Sequence, residues 1–571
     1  SSQIERLINV YVPLACTILS TINIGYRRSA DMTMFGIPSH QPNNPCSKRI
    51  LGVPKRYHSH KWGHEKRLIA TSTWLGSIFL FMQVFCSGVC GATPSPLSNG
   101  PWGPLDPVAD PAAVILVVGP NNHKIRITVL TDRLLRIERA ANAENDHDAS
   151  TFEDRKTIAV MNRKLPVPAY KHSVSEDGIL TVETKCLTLT YHTKQEFLPS
   201  SLHVQGQMDC FSKNTNHHNS TASSSSWTYH YGQSDPHNLL GTIRTLDQRD
   251  ATSLNCSHLR DDNHCEFGLI SKSGFAIVND TLNYALDGQD WWDGPNSDQE
   301  DIYIFGHGHD YAAALYDYRL IGGYIPLLPR YALGVWFSRW YDYAATDIVT
   351  DVIDKYEQFT IPLDVFVLDM NWHTKNDWTG YSWDRRLFPI AGDELSAIKA
   401  RGLAVTLNLH DANGVHPWEE RFQDMCRAIG GGTCDDGGVI PFSIVNQTIA
   451  YALEDTVLQP LEHVGVDFWW IDWQQGEKGK GGAAGAKQNP TIWTAHVRST
   501  NVNRRRVEGE QEEIPRSMVL ARWGGLGAHR YPVHFSGDVL HLTWDNLAYQ
   551  PYFSMVCTVY AQSHISFLIS V

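Results

Sequence analysis

The stretch Val466-Asp-Phe-Trp-Trp-Ile-Asp-Trp-Gln-Gln-Gly476 restricts the folds open to this chain more than any other. Val466, Phe468, Trp469, Trp470 and Ile471 make an apolar run rich in β-branched and aromatic side chains. Such a run belongs to a strand buried on both faces, as in a parallel sheet covered by helices. It ends on Asp472, with Trp473 directly after. An acid at that point has two readings. One is a helix cap or a satisfied buried acid, the ordinary outcome for a lone Asp. The other is a catalytic carboxylate on the C-terminal face of a (β/α)₈ barrel, where enzymes of that fold keep their sites.

A second stretch favours the catalytic reading. Leu520-Ala-Arg-Trp-Gly-Gly-Leu-Gly-Ala-His-Arg-Tyr-Pro-Val-His-Phe-Ser-Gly-Asp538 again runs from an apolar segment to an acid. Its glycines permit close backbone approach, and Arg522 is placed to hold a hydroxyl or a carboxylate. Cleaving a glycosidic bond takes two acids, one to protonate the leaving oxygen and one to attack or to activate water. On these two stretches the chain resembles family 31 of the glycoside hydrolases, the α-glucosidase and α-xylosidase family.

Further segments extend the resemblance. Val365-Phe-Val-Leu-Asp-Met-Asn-Trp-His373 also ends an apolar strand on an acid, Asp369. Ala404–Leu409 leads into His410 and Asp411, candidates for lining a pocket. Strand-like segments at Leu333–Trp336, Asp364–Leu368, Ala404–Leu409 and Asp467–Ile471 alternate with helical stretches such as 345–359 and 394–401. Strict strand–helix alternation argues a parallel sheet. The likeness spans roughly residues 110–562 and is strongest from Ile302 onward.

The resemblance implies a retaining mechanism without metal or cofactor, with Asp472 as nucleophile and Asp538 as acid/base. It implies sugar contacts for Asp369, Arg522 and Trp470, and an oligosaccharide as substrate. For Asp287-Gly-Gln-Asp-Trp-Trp-Asp293 it suggests a loop over the barrel that brings Asp290 and Trp291 to the pocket. The alternative for that loop is a turn with a hydrophobic anchor. Many family members follow the nucleophile with Met-Asn-Glu, whereas Trp473, Gln474 and Gln475 stand here.

The expected organisation is multidomain: an N-terminal antiparallel β-sandwich followed by an incomplete (β/α)₈ TIM barrel. Residues 1–67 read as an irregular extension and 68–92 as a signal peptide or signal anchor. Residues 93–111 read as a linker, 112–325 as the sandwich and 326–571 as the barrel. Five strands are expected at Val114–Val118, Lys124–Leu130, Arg133–Glu138, Leu180–Thr184 and Leu187–Tyr191, with others at Gly268–Ser271 and Gly274–Val278. The run at Tyr303 is read as the start of α/β structure. The barrel is expected to be incomplete because family members continue with two more barrel units and C-terminal β-domains. The Gly-rich residues 476–485 and the charged residues 503–514 read as solvated loops.

Net charge of −13 argues against a nucleic-acid partner. The basic pair Lys66-Arg67, the apolar run 68–85 and the small residues up to Ala92 point to cleavage near Ala92 and to secretion. The alternative is a membrane anchor at 68–85. Sequons at Asn219, Asn255, Asn279 and Asn446 accord with a secretory route. In that setting Cys256 with Cys265, and Cys426 with Cys434, are disulfide candidates. A transglycosylase on the same fold and a non-catalytic carbohydrate-binding protein are the rival functions.

Overall fold

A computed structural model describes residues 105–548 apart from 141–151, 209, 211–225, 240–266, 282, 288–290, 292–298, 375, 433, 473–489, 509–515, 523–524, 532, 536–542 and 546–547; of Pro490 and residues 502–508 it describes the backbone only. The segments 1–67 and 68–92, Cys256 with Cys265, the loop 476–485, Asp290 and Asp538 lie outside the described residues. Among the described residues, no helix is long and apolar enough to cross a membrane.

Among the described residues, the first half is built from two antiparallel sheets of five strands each. One runs in the order β1-β2-β3-β10-β9, from β1 (Val114–Val118), β2 (Lys124–Thr131), β3 (Leu134–Arg139), β9 (Ala276–Asn279) and β10 (Glu300–Phe305). The other is a meander of β4 (Lys171–Val174), β5 (Ile179–Glu183), β6 (Leu187–His192), β7 (Leu202–Gln207) and β8 (Ser226–His230). Period-2 alternation decides their faces. In β6, Leu187, Leu189 and Tyr191 are buried while Thr188, Thr190 and His192 are half-buried. These three join Ile125, Ile127 and Val129 of β2 and Ile302 and Ile304 of β10 in one apolar cluster.

The first sheet is buried on its other face too. Tyr303 and Phe305 of β10 pack there with Tyr318 and Ile321 of the helix Tyr311–Gly322. Arg136 points into that same region and grips Asp301 with two nitrogens, at 2.8 and 2.6 Å. Burial on both faces explains a correction. The run at Tyr303 does not open the α/β region; it is β10, paired antiparallel with β3 and β9. A doubly buried strand has the same texture in either kind of sheet. Gly268–Ser271 is likewise not a strand, and Ser271 makes only an isolated bridge to Asn238.

The second half is a parallel sheet in sequential order, β11 (Trp336–Arg339), β12 (Val365–Leu368), β13 (Ala404–Leu409), β14 (Phe468–Ile471) and β15 (Val519–Ala521). Helical segments fill every connection: Ala345–Gln358 in three consecutive pieces, Ala391–Lys399, Phe422–Ala428, Gln447–Val464 in three pieces, and Pro490–Glu508. Beyond β15, residues 533–535 run parallel to it, with Ala521 N–H donating to the Val533 carbonyl at 2.8 Å and Phe535 N–H to that of Ala521 at 3.2 Å. Two expectations are corrected here. The first strand begins at Trp336 and not Leu333, because Arg330–Leu333 forms a 3₁₀ turn that leaves Leu333 79% exposed. The charged stretch from Asn503 is helical as far as Glu508, continuing a helix that is anchored by the buried Trp493, Ala495 and Val497.

Alternation again sorts the two faces. Phe366, Leu368, Val405, Leu407, Leu409, Trp469, Ile471 and Val519 meet the helices. Trp336, Val365, Val367, Ala404, Phe468, Trp470, Leu520, Val533 and Phe535 form a second cluster on the inner face. Cys426 is bonded to Cys434, as their spacing suggested. Cys186 is bonded to Cys210 across the β6–β7 hairpin, a pairing that sequence separation alone does not suggest.

Candidate active site

Parallel strands bring all their C-terminal ends to one edge of a sheet. On the inner face the alternation that places Val365 and Val367 continues to Asp369. By the same step Ala404 and Thr406 lead to Asn408 and His410, Phe468 and Trp470 lead to Asp472, and Leu520 leads to Arg522. Register supplies the rest. Leu368 pairs with Leu407, Leu409 with Ile471, and Ile471 with Ala521. One residue on, Asp369 is level with Asn408, and Asp472 is level with His410 and Arg522.

The side chains meet accordingly. Arg522 Nε donates to Asp472 Oδ1. Asn408 Nδ2 donates to Asp472 Oδ2 at 2.9 Å and to Asp369 Oδ1 at 2.7 Å. His410 Nε2 lies 3.5 Å from Asp472 Oδ2. All but Asp369 are buried, Asp472 and His410 at 4% exposure and Arg522 and Asn408 at 1%. Asp369 is partly exposed, and its Oδ1 also accepts from the Met370 N–H at 2.7 Å. Its Oδ2 has no partner among the described residues.

The two carboxylates differ in their affinity for a proton. Burial opposes the charge of Asp472, but the Arg522 guanidinium and a hydrogen bond from His410 outweigh it and hold the carboxyl well below the usual range. Burial, and then the negative charge of Asp472, push Asp369 up to about 6, against the donations of Met370 and Asn408. A carboxyl raised when folded favours the folded state while it is protonated. That contribution is complete below about pH 4, the unfolded value, and is lost as pH rises through about 6. Denaturant titrations should therefore show the wild type losing stability relative to Asp369→Asn between about pH 4 and 6.5. Parallel pH profiles would contradict the raised value.

The remaining candidates are placed as follows. Trp470 is buried on the inner face, edge-on to Phe535 at 5.2 Å between centroids, and its Nε1–H has no partner among the described residues. His410 packs edge-on against Trp378 at 5.0 Å, a ring 39% exposed. Asp411 follows the inner-face His410 and is fully buried. It accepts from Tyr381 Oη at 2.8 Å and from Arg498 at 2.8 Å, and Arg498 also reaches Glu454 at 3.3 Å. Trp291 is a buried anchor, packed against Tyr451 and Trp493 at 5.3 Å each. Its Nε1 donates to the Val445 carbonyl at 3.4 Å.

The Asp411–Arg498 pair ties the helix Pro490–Glu508 to the end of β13. Arg498→Leu would leave two buried carboxylates without their shared cation and should cost about 3–5 kcal/mol of stability, read from denaturant midpoints. A loss under about 1 kcal/mol, the scale of a surface pair, would contradict a buried pairing.

Sequence reasoning overlooked Asn408. The signal was present, because Thr406, Asn408 and His410 occupy every second position of a strand that is otherwise apolar. Acids at the opposite ends of the strands are spent on backbone and on a lysine. Asp364 accepts from the Val335 N–H at 2.8 Å, and Asp467 accepts from the Val405 N–H at 2.8 Å while pairing with Lys399 at 2.6 Å.

Carboxylates gathered at the C-terminal edge of a strand–helix alternating parallel sheet lie where enzymes of the (β/α) barrel class keep their sites. Residues 325–567 match the TIM-barrel domain of glycosyl hydrolases family 31. An alpha-xylosidase of Saccharolobus solfataricus is 26% identical over 228 residues, which is 37% of this chain and 28% of that protein. The chain thus matches little more than a quarter of that relative's length. Among solved structures, the GH31 alpha-xylosidase from Xanthomonas citri superposes with a TM-score of 0.53 at 12% identity, covering 81% of this chain and 69% of that one. A GH31 dextranase from Flavobacterium johnsoniae, solved as a D412A mutant with isomaltotriose, gives 0.52 at 15% identity, covering 80% and 59%. At such identities the structural likeness speaks for the fold.

Proposed function

We propose that the chain carries the catalytic machinery of a retaining, exo-acting α-glycosidase that hydrolyses α-glucosidic or α-xylosidic bonds of oligosaccharides. The observation that carries this is the environment of Asp472, a buried carboxylate kept ionised by Arg522 and His410 at the C-terminal end of a parallel strand. A nucleophile needs its charge ready and desolvated, and that environment supplies both. Asp472 attacks the anomeric carbon as the glycosidic C–O bond breaks, and Asp538 gives its proton to the leaving oxygen. Water then attacks the glycosyl-enzyme, and Asp538 takes up the water's proton while the Asp472 ester bond breaks. Asp369 binds sugar hydroxyls through its unengaged oxygen, and Trp470 and His410 shape the same pocket.

In this proposal the two antiparallel sheets form a β-sandwich preceding the barrel, and the five strands of the parallel sheet, with residues 533–535, are part of a (β/α)₈ barrel. Secretion is supported by the Cys186–Cys210 and Cys426–Cys434 disulfides, which persist in oxidising compartments.

The test is hydrolysis of aryl α-glucosides and α-xylosides, with the first product read by NMR before mutarotation. The α-anomer is expected from a retaining enzyme. A β-anomer would replace the nucleophile with a base acting through water, and the absence of turnover on any α-glycoside would favour a carbohydrate-binding protein.

A further inference from the structure

Asn408 stands on the middle one of three neighbouring strands, between those that lead into Asp369 and Asp472. Its Nδ2 donates to Asp369 Oδ1 at 2.7 Å and to Asp472 Oδ2 at 2.9 Å. Chemistry dictates which way the amide faces, since a flipped side chain would set its oxygen against two carboxylate oxygens. Its own Oδ1 is buried and has no hydrogen-bond partner among the described residues. Protein interiors seldom leave an acceptor unmet, and a leucine of similar size would avoid that cost altogether. The amide therefore belongs there for the two protons it gives.

We propose that Asn408 is a positioning residue of the glycosidase site described above, tying the two carboxylates through one amide group so that both stay ionised side by side. The two acids depend on it unequally. Asp472 also has Arg522, directly after β15, and His410, directly after β13. Among the described residues Asp369 has no cation of its own; it faces the charge of Asp472 and the His410 ring, and otherwise rests on the Met370 N–H. Asn371, two residues further on, donates to Asp342 at 2.5 Å and adds no positive charge. Loss of the amide should thus fall on Asp369 first, whose proton would be harder to remove.

The experiment is Asn408→Leu in the full chain, with the Asp369 carboxyl titrated by infrared difference spectroscopy on aspartate-labelled protein and assigned by its disappearance in Asp369→Asn. The Asp369 midpoint should rise by about one pH unit, the effect of one hydrogen bond to a charged group. The acidic limb of kcat/KM should move up with it, so that the loss is about tenfold greater at pH 5 than at pH 8. An unmoved midpoint together with an activity loss equal at all pH values would reduce Asn408 to a packing role and overturn the proposal. The titration needs no substrate, so it decides the role of Asn408 even if the chain hydrolyses no glycoside. Asn408→Ser, smaller and with a single proton to give, stands in if the leucine variant does not fold and should raise the same midpoint.

Discussion

Asp472→Asn is expected to lower turnover by about four orders of magnitude or more, equivalent to roughly 5–6 kcal/mol of lost transition-state stabilisation. The amide is nearly the same shape, so the pocket survives, but it carries no charge and is a poor nucleophile. Asp472 sits in a site where Arg522 Nε, Asn408 Nδ2 and the His410 ring all favour a negative charge. An amide turns part of that complementarity into donor against donor, so a modest fall in stability should accompany the loss of rate. Circular dichroism and a denaturant midpoint separate the two effects. A variant that folds as the wild type does and retains more than about a hundredth of its turnover would show that the chemistry lies elsewhere.

Arg522→Met should be the most destabilising change at the site. In the wild type the depressed carboxyl of Asp472 contributes stability above the unfolded value of about 3.9, and that contribution is lost as pH falls through the folded value. Without the guanidinium, burial becomes the dominant influence and the sign reverses. Asp472 becomes a raised carboxyl, and the variant loses stability as pH rises. Breaking a buried pair from one side costs about 3–5 kcal/mol. The full deficit is expected near pH 7.5 and a visibly smaller one near pH 5. Turnover should fall at least about tenfold near pH 5, where Asp472, the proposed nucleophile, would then hold its proton, and by less near pH 7.5. Arg522→Lys restores a charge without the planar group that meets Oδ1 and stacks over Phe535 at 4.9 Å, so it should lie between the two. A deficit equal at both pH values would mean that Arg522 does not hold the charge of Asp472.

Much of the parallel sheet was legible in the chain, for a physical reason. Runs such as Ala404–Leu409 are apolar at successive positions and terminate on polar residues, and the strand occupies those residues as expected. Asp369, Asp472 and Arg522 could be found because each ends such a run, and the inner face brings them together. Asn408 escaped because its role depends on which face of the pleat it occupies, and a doubly buried strand hides that parity. The run at Tyr303 looks like the start of α/β structure for the same reason, since Ile302 and Ile304 serve one core and Tyr303 and Phe305 another. The Cys186–Cys210 bond depends on the pairing of β6 with β7, a register set by tertiary packing. The charged residues up to Glu508 are helical because the buried turns before them anchor the helix, which local composition does not report.

Trapping the covalent intermediate is the most direct test. A 5-fluoro-α-glycosyl fluoride of the sugar hydrolysed fastest is incubated with the full chain, which is then digested and its peptides read by mass spectrometry. A fluoroglycosyl adduct is expected on the peptide carrying Asp472, located on that carboxyl by fragmentation and absent from Asp472→Asn. An adduct on Asp369 or on any other carboxyl, formed equally in the Asn variant, would contradict the assignment of Asp472 as nucleophile.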